Sequence, residues 1–193
     1  MSSNKLFYGW WTVLGCFLIM AATTGIVMNS VPNAYGPIAT QYGFQIGEVS
    51  TTTALVALAA MFSALLVGRL MKSMNIRILT TVFGVLFVSG LIAYAFCTSL
   101  TQFYIASVII GIGAAGTYLI PPTVILTNWF EEKRGLAIAI TFTGSGVGGA
   151  VFGPLLAYLI GKVGISSSFL ILGIIAAVLI LPITLFLLRL TPQ

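Results

Sequence analysis

The residues that could do chemistry in this chain are few, and most are uncharged. Its 193 residues include no histidine and no aspartate, and its acids are Glu48, Glu131 and Glu132. That composition removes most metal sites and most proton-transfer pairs. Glu131 and Glu132 adjoin Lys133 and Arg134 and open an apolar run, where acids suit a helix amino terminus. Glu48 stands in the same way before another apolar run. A serine nucleophile within the membrane would need a base, and the sequence supplies none. No catalytic residue, metal or cofactor is expected. What remains are amides and hydroxyls set in apolar sequence: Asn29, Asn33, Thr117 and Tyr118. Their chemistry is hydrogen bonding to a polar solute. Asn29 and Asn33 are four apart and share a face if their helix continues through Pro32. The plainer alternative has Asn29 crosslinking two helices and Asn33 capping the outer end of one. Tyr118 precedes Pro121-Pro122 by one turn. Two prolines remove two backbone donors and kink the helix, and the freed carbonyls suit a water-filled cavity. Its alternative is a tyrosine bonded to a neighbouring helix. Gly111, Gly113 and Gly116 match Gly-x-Gly-x-x-Gly, but no strand precedes them, so they form no nucleotide fingerprint.

These residues must be positioned by membrane helices. The chain is 59% hydrophobic and 6% charged, where a soluble domain carries roughly a quarter charged residues. A helix crossing the hydrocarbon core needs about 20 residues, and six runs qualify: about 7–30, 49–67, 78–96, 102–127, 135–160 and 169–188. The first stops near Pro32, with a polar stretch from 32 to 48 after it. Gly161 to Ser168 forms the last turn. The expectation is one all-α membrane domain over 1–193, a six-helix bundle. Cys16 and Cys97 fall in or beside apolar runs and read as free thiols.

Lysine and arginine set the topology. Lys5, Arg69, Lys72, Arg77, Lys133, Arg134 and Arg189 fall on one side and Lys162 on the other. Both termini are therefore expected in the cytoplasm. The +5 net charge reports this asymmetry and not a nucleic-acid partner. Leu66-Val67-Gly68-Arg69 and Leu159-Ile160-Gly161-Lys162 echo one another three spans apart, the pattern of a 3+3 inverted repeat over about 7–97 and 102–189.

The most informative stretch is 128–154. A charged knot, Glu131 to Arg134, is followed by about twenty uncharged residues that carry Gly144, Gly148, Gly153 and Pro154. Small residues at helical spacing allow close helix packing. The same residues, with Pro121 and Pro122, would also let helices bend or slide as a gate.

On these residues the chain resembles the amino-terminal half of a major facilitator superfamily transporter, most closely its oxalate/formate antiporter and monocarboxylate transporter branch. Trp129-Phe130-Glu131-Glu132-Lys133-Arg134-Gly135-Leu136-Ala137 is similar to that branch's turn between spans 4 and 5. Tyr8-Gly9-Trp10-Trp11 is similar to its opening of span 1, and Gly144 with Gly153-Pro154 to its span 5 antiporter motif. The superfamily's signature between spans 2 and 3 is met by Gly68 and Arg77. It is not met by Lys72, Ser73 and Asn75, which stand where Asp, a base and Gly are usual. Ser107 stands near the place of an arginine common in proton-driven members, and Ala157-Tyr158 replaces the Gly-Gly that closes the antiporter motif.

The resemblance implies half of a secondary transporter of small organic anions, not an enzyme. It would line an alternating-access pathway in the lipid bilayer with a second six-helix half, encoded downstream or supplied by another copy. It also implies that Asn29, Asn33, Thr117 and Tyr118 face that pathway, and that cationic ligands come from the other half. The alternatives are a fragment without transport of its own and a membrane interaction or regulatory protein.

Overall fold

A computed structural model of the chain describes residues 3–188. Arg189 lies outside the described residues, and so does the side chain of Lys5. Among the described residues there is no strand.

Helix α1 begins at Ser3–Met20 and continues as a wide π-wound stretch, Ala21–Ser30, then a tight 3-10 turn, Val31–Ala34. It ends in a helical arm, Tyr35–Tyr42. This corrects the expected stop at Pro32. Proline is tolerated here because it sits in the first turn of a new helical segment, where its missing N–H would have had no partner. The Ser30 hydroxyl meanwhile donates to the Gly25 carbonyl at 2.7 Å and supports the widened turn. The arm ends at Gly43, whose φ of +73° lets the Phe44 amide return to the Ala39 carbonyl at 3.0 Å.

Helix α2 spans Ile46–Leu70 and α3 spans Ile76–Tyr94. Helix α4 runs Leu100–Ala114, widens to a π turn over Ala115–Leu119, and resumes as Pro121–Trp129. The π stretch followed by proline thus occurs twice, three spans apart. A long helical stretch follows, Arg134–Pro182, extended by a π turn at Ile183–Leu187. It is two helices, α5 (134–163) and α6 (165–182), folded at Gly164. Gly164 has φ +81° and ψ 173°, backbone open to glycine and hardly to any other residue.

Neighbours prove the reversal. Helix α5 runs parallel to α1, with Gly144 against Phe17 near one end and Gly153 against Asn33 near the other. Helix α6 then returns antiparallel to α3. Phe169 meets Tyr94 at the end of α3, ring centroids 5.1 Å apart, and Leu188 meets Arg77 at its start. Six spans result, as the sequence predicts.

Packing runs through small residues. Along the α1–α5 seam, a Cβ on Gly148 would lie 2.2 Å from the Ala21 carbonyl, and one on Gly25 would lie 2.6 Å from Gly148. Gly111 meets Val56 of α2, and Gly113 meets Phe87 of α3. Lipid is as apolar as leucine, so close backbone approach replaces hydrophobic burial as the source of adhesion. At the α4–α5 turn, Phe130 is buried in extended conformation and meets Trp10 at 5.6 Å, against Val13, Leu126 and Ala137. Glu131, Glu132, Lys133 and Arg134 stay exposed beside it, and the Arg134 guanidinium donates to the Thr127 carbonyl at 3.4 Å.

The turn between α2 and α3 shows why Asn75 replaces glycine. Its side chain accepts from the Arg77 amide at 3.0 Å and caps α3. The Arg77 side chain reaches across and donates from Nε to the Leu188 carbonyl at 2.6 Å, tying α3 to the carboxyl end of α6. Lys72 is exposed, and Gly68 and Arg69 close α2 on the same face. Replacing Arg77 with alanine is expected to cost about 1 kcal/mol, a charge-assisted bond discounted for partial exposure. That corresponds to a melting temperature in detergent lower by about 2–4 °C, and an unchanged melt would show that the tie carries no stability.

Cys16 and Cys97 are buried free thiols. Cys97 lies in the turn between α3 and α4, where burial pushes its thiol up from 9.0 to about 11. Thiolate is the reactive form, so maleimide labelling of Cys97 in the folded protein should be negligible at pH 7 and climb only toward pH 11. Rapid labelling at neutral pH would contradict this burial.

Candidate functional site

The outer half of α1 carries the polar residues that apolar packing does not absorb. Asn29 and Asn33 are both exposed at the surface of the bundle, beside α5. Gly149 makes room for Asn29, since a Cβ there would meet the Asn29 side chain at 2.6 Å. Gly153 leaves a Cβ position 3.2 Å from the Asn33 amide nitrogen. An amide facing hydrocarbon without partners is costly. This strip of α1 therefore suits water or protein and not lipid. Gly146, Ala150 and Pro154 of α5 flank it as a smooth exposed ridge.

Asn29 is held firmly. Its Nδ2 donates to the Ser145 carbonyl at 2.9 Å and to the Ser145 hydroxyl at 3.2 Å. A backbone carbonyl only accepts, so the amide can be turned only one way. Nδ2 points at α5, and Oδ1 is the atom left for anything outside. The crosslinking and the solute-contact readings of Asn29 are compatible.

Tyr118 lies half-buried between two packing clusters, in the widened turn of α4 that touches α1. Thr117 sits differently. It is fully buried, its hydroxyl donates to the Gly113 carbonyl at 2.5 Å, and its methyl group faces Gly84 of α3. Pro121 and Pro122 are buried beneath the kink. Gly144, Gly148 and Gly153 are buried in the α1–α5 seam, while Pro154 is exposed.

Two features escaped sequence reasoning. Ser145, between two glycines, is the partner of Asn29, and no local signal points 116 residues away. The partner of Ser107 is the other: the serine is buried and paired with the Tyr94 hydroxyl at 2.6 Å. That pair closes a hydroxyl contact inside the bundle and leaves no charge there. Among the described residues no cluster of His, Cys, Asp or Glu could hold a metal ion.

The first and fourth helices are thus both widened by a π stretch and followed by proline, with two exposed amides on the outer half of the first. Residues 7–193 match the model of one family, the Major Facilitator Superfamily. The chain belongs to this superfamily. Among similar proteins are "Monocarboxylate transporter 12" of Xenopus laevis, 25% identical over 86% of this chain and 36% of that protein, and its Homo sapiens counterpart, 26% identical over 86% and 32%. "MFS-type transporter pytF" of Aspergillus terreus is 28% identical over 91% of this chain and 60% of that protein. The chain therefore spans about a third of the two monocarboxylate relatives. The fold is that of a bacterial homolog of the human lysosomal transporter Spinster, solved inward-facing and unoccupied. That likeness has a TM-score of 0.71 at 17% identity and covers all of this chain and 45% of the other. The chain thus carries the apolar, multi-pass helices of a transporter superfamily.

Proposed function

We propose that this chain forms the amino-terminal wall of a secondary transporter for small organic anions of the mono- or dicarboxylate type. Its six spans work against a second six-span unit, in a bilayer, with both termini in the cytoplasm. Spans 1–3 and 4–6 act as two inverted repeats, a reading supported by the recurrence of the π stretch and proline in α1 and α4. The observation that carries the proposal is the exposure of the Asn29 and Asn33 amides, where the exposed hydroxyls of Thr51, Ser89 and Thr143 are bonded back to their own helices, with Tyr118 seated in the turn that meets α1. The likeness to monocarboxylate transporters supports this substrate class, and the pathway needs a cation from the second unit to hold a carboxylate.

Two experiments test this. Crosslinking and native mass measurement should find a second six-span unit, and proteoliposomes holding the assembly should take up labelled lactate. A monomer without uptake sinks the proposal. In the assembly, Tyr118→Phe is expected to raise KM by about twofold to tenfold, the worth of one hydrogen bond. An unchanged KM would remove Tyr118 from the pathway.

A further inference from the structure

From the way Ser145 holds Asn29, we infer that Asn29 reads a hydrogen-bond donor on the solute, a hydroxyl or N–H carried next to its carboxylate. This rests on the anion-transport reading above and adds a criterion that separates one small acid from another.

The orientation of the amide is fixed by chemistry. The Ser145 carbonyl, 2.9 Å away, can only accept, so the atom facing it is Nδ2. The Ser145 hydroxyl, at 3.2 Å, also accepts from Nδ2. Gly149 packs against the same side chain, where a Cβ would sit 2.6 Å from the Asn29 Cβ, so the residue has little room to turn over. The side chain is nonetheless exposed. It therefore presents Oδ1 outward as an acceptor, with Nδ2 turned to α5. A carboxylate oxygen meeting Oδ1 finds acceptor against acceptor. A hydroxyl or N–H finds a partner held in place by α5. This chain sets no charge beside the amide, since no ionisable side chain other than Tyr118 occurs in residues 21–33, 115–119 or 141–154, and the cation of the second unit is left to hold the carboxylate itself.

Sites built to bond a substrate hydroxyl discriminate against the analogue that lacks it. Lactate and propionate differ in that hydroxyl and share the carboxylate. Uptake of both, labelled, into proteoliposomes holding the assembled transporter gives the ratio of their KM values. The expected result is a lower KM for lactate by about twofold to tenfold, the range of one net hydrogen bond. Asn29→Leu should bring that ratio to about one, whatever it does to the two rates. Ser145→Ala removes only the hydroxyl and keeps the backbone carbonyl that fixes the amide, so it should keep the preference for lactate. Should the leucine variant fail to fold, the wild-type ratio and the Ser145→Ala variant decide the matter. A wild-type ratio near one, a preference that survives Asn29→Leu, or its loss in Ser145→Ala overturns the assignment while anion transport stands. No uptake of either acid overturns the anion reading and this one with it.

Discussion

Replacing Gly148 with alanine is expected to destabilise the bundle by about 3 kcal/mol, and replacing it with leucine to abolish folded protein. The added Cβ would lie 2.2 Å from the Ala21 carbonyl and 2.7 Å from its Cα. Both neighbours are backbone and cannot swing aside. The α1–α5 seam must then open along its length, because Gly144 and Gly25 keep the same close approach on either side. The loss reads as a melting temperature in detergent lower by about 6–12 °C for alanine. Gly146 provides the comparison. It lies two residues away, is exposed, and a Cβ added there would have nothing within 4 Å. Gly146→Ala should leave the melt unchanged or raise it, since alanine is the better helix former. Equal losses at the two positions would show that the seam is not what holds these helices together.

The second large effect is expected at Gly164. With φ +81° and ψ 173°, any side chain there is strained, at a cost of about 2 kcal/mol. Gly164→Ala should lower the melting temperature by about 4–8 °C. Nothing lies within 4 Å of a Cβ at this glycine, so crowding contributes none of the loss. Gly43→Ala, at φ +73° and ψ 24°, falls in the milder left-handed helical region and should cost about half as much. If Gly164→Ala melts with the wild type, the reversal between α5 and α6 does not depend on this backbone geometry.

Much of this arrangement is legible in the sequence because it rests on local composition. Six apolar runs, the knot at 131–134 and the glycines at 144, 148 and 153 announce spans, a surface turn and a close-packed helix. The extent of α1 is not legible. Pro32 reads as a stop, and the chain passes it only because the Ser30 hydroxyl bonds Gly25 and a tight turn restarts the helix. Asn75 could have been read as a cap from its place before an apolar run; set against a family pattern it looked only like a departure. Thr117 and Tyr118 are adjacent, so a helix must point them apart. Which of them turns inward depends on Gly84, a residue of another span. The site is harder to read for the same reason. Asn29 is visible as a polar residue in an apolar run, whereas the direction of its amide is set by a serine on a helix four spans later.

That separation also governs how the chain is made. Asn29 and its partner are 116 residues apart. At about 5–20 residues per second, α1 waits roughly 6–23 s after it is synthesised before α5 exists to receive it. During that interval its glycine face and its amide are uncovered, and α2, α3 and α4 have already been made. The earliest made of these six helices is thus among the last to be settled. A pause or a nick in translation before residue 144 would leave a four-span intermediate whose opening helix has no seat.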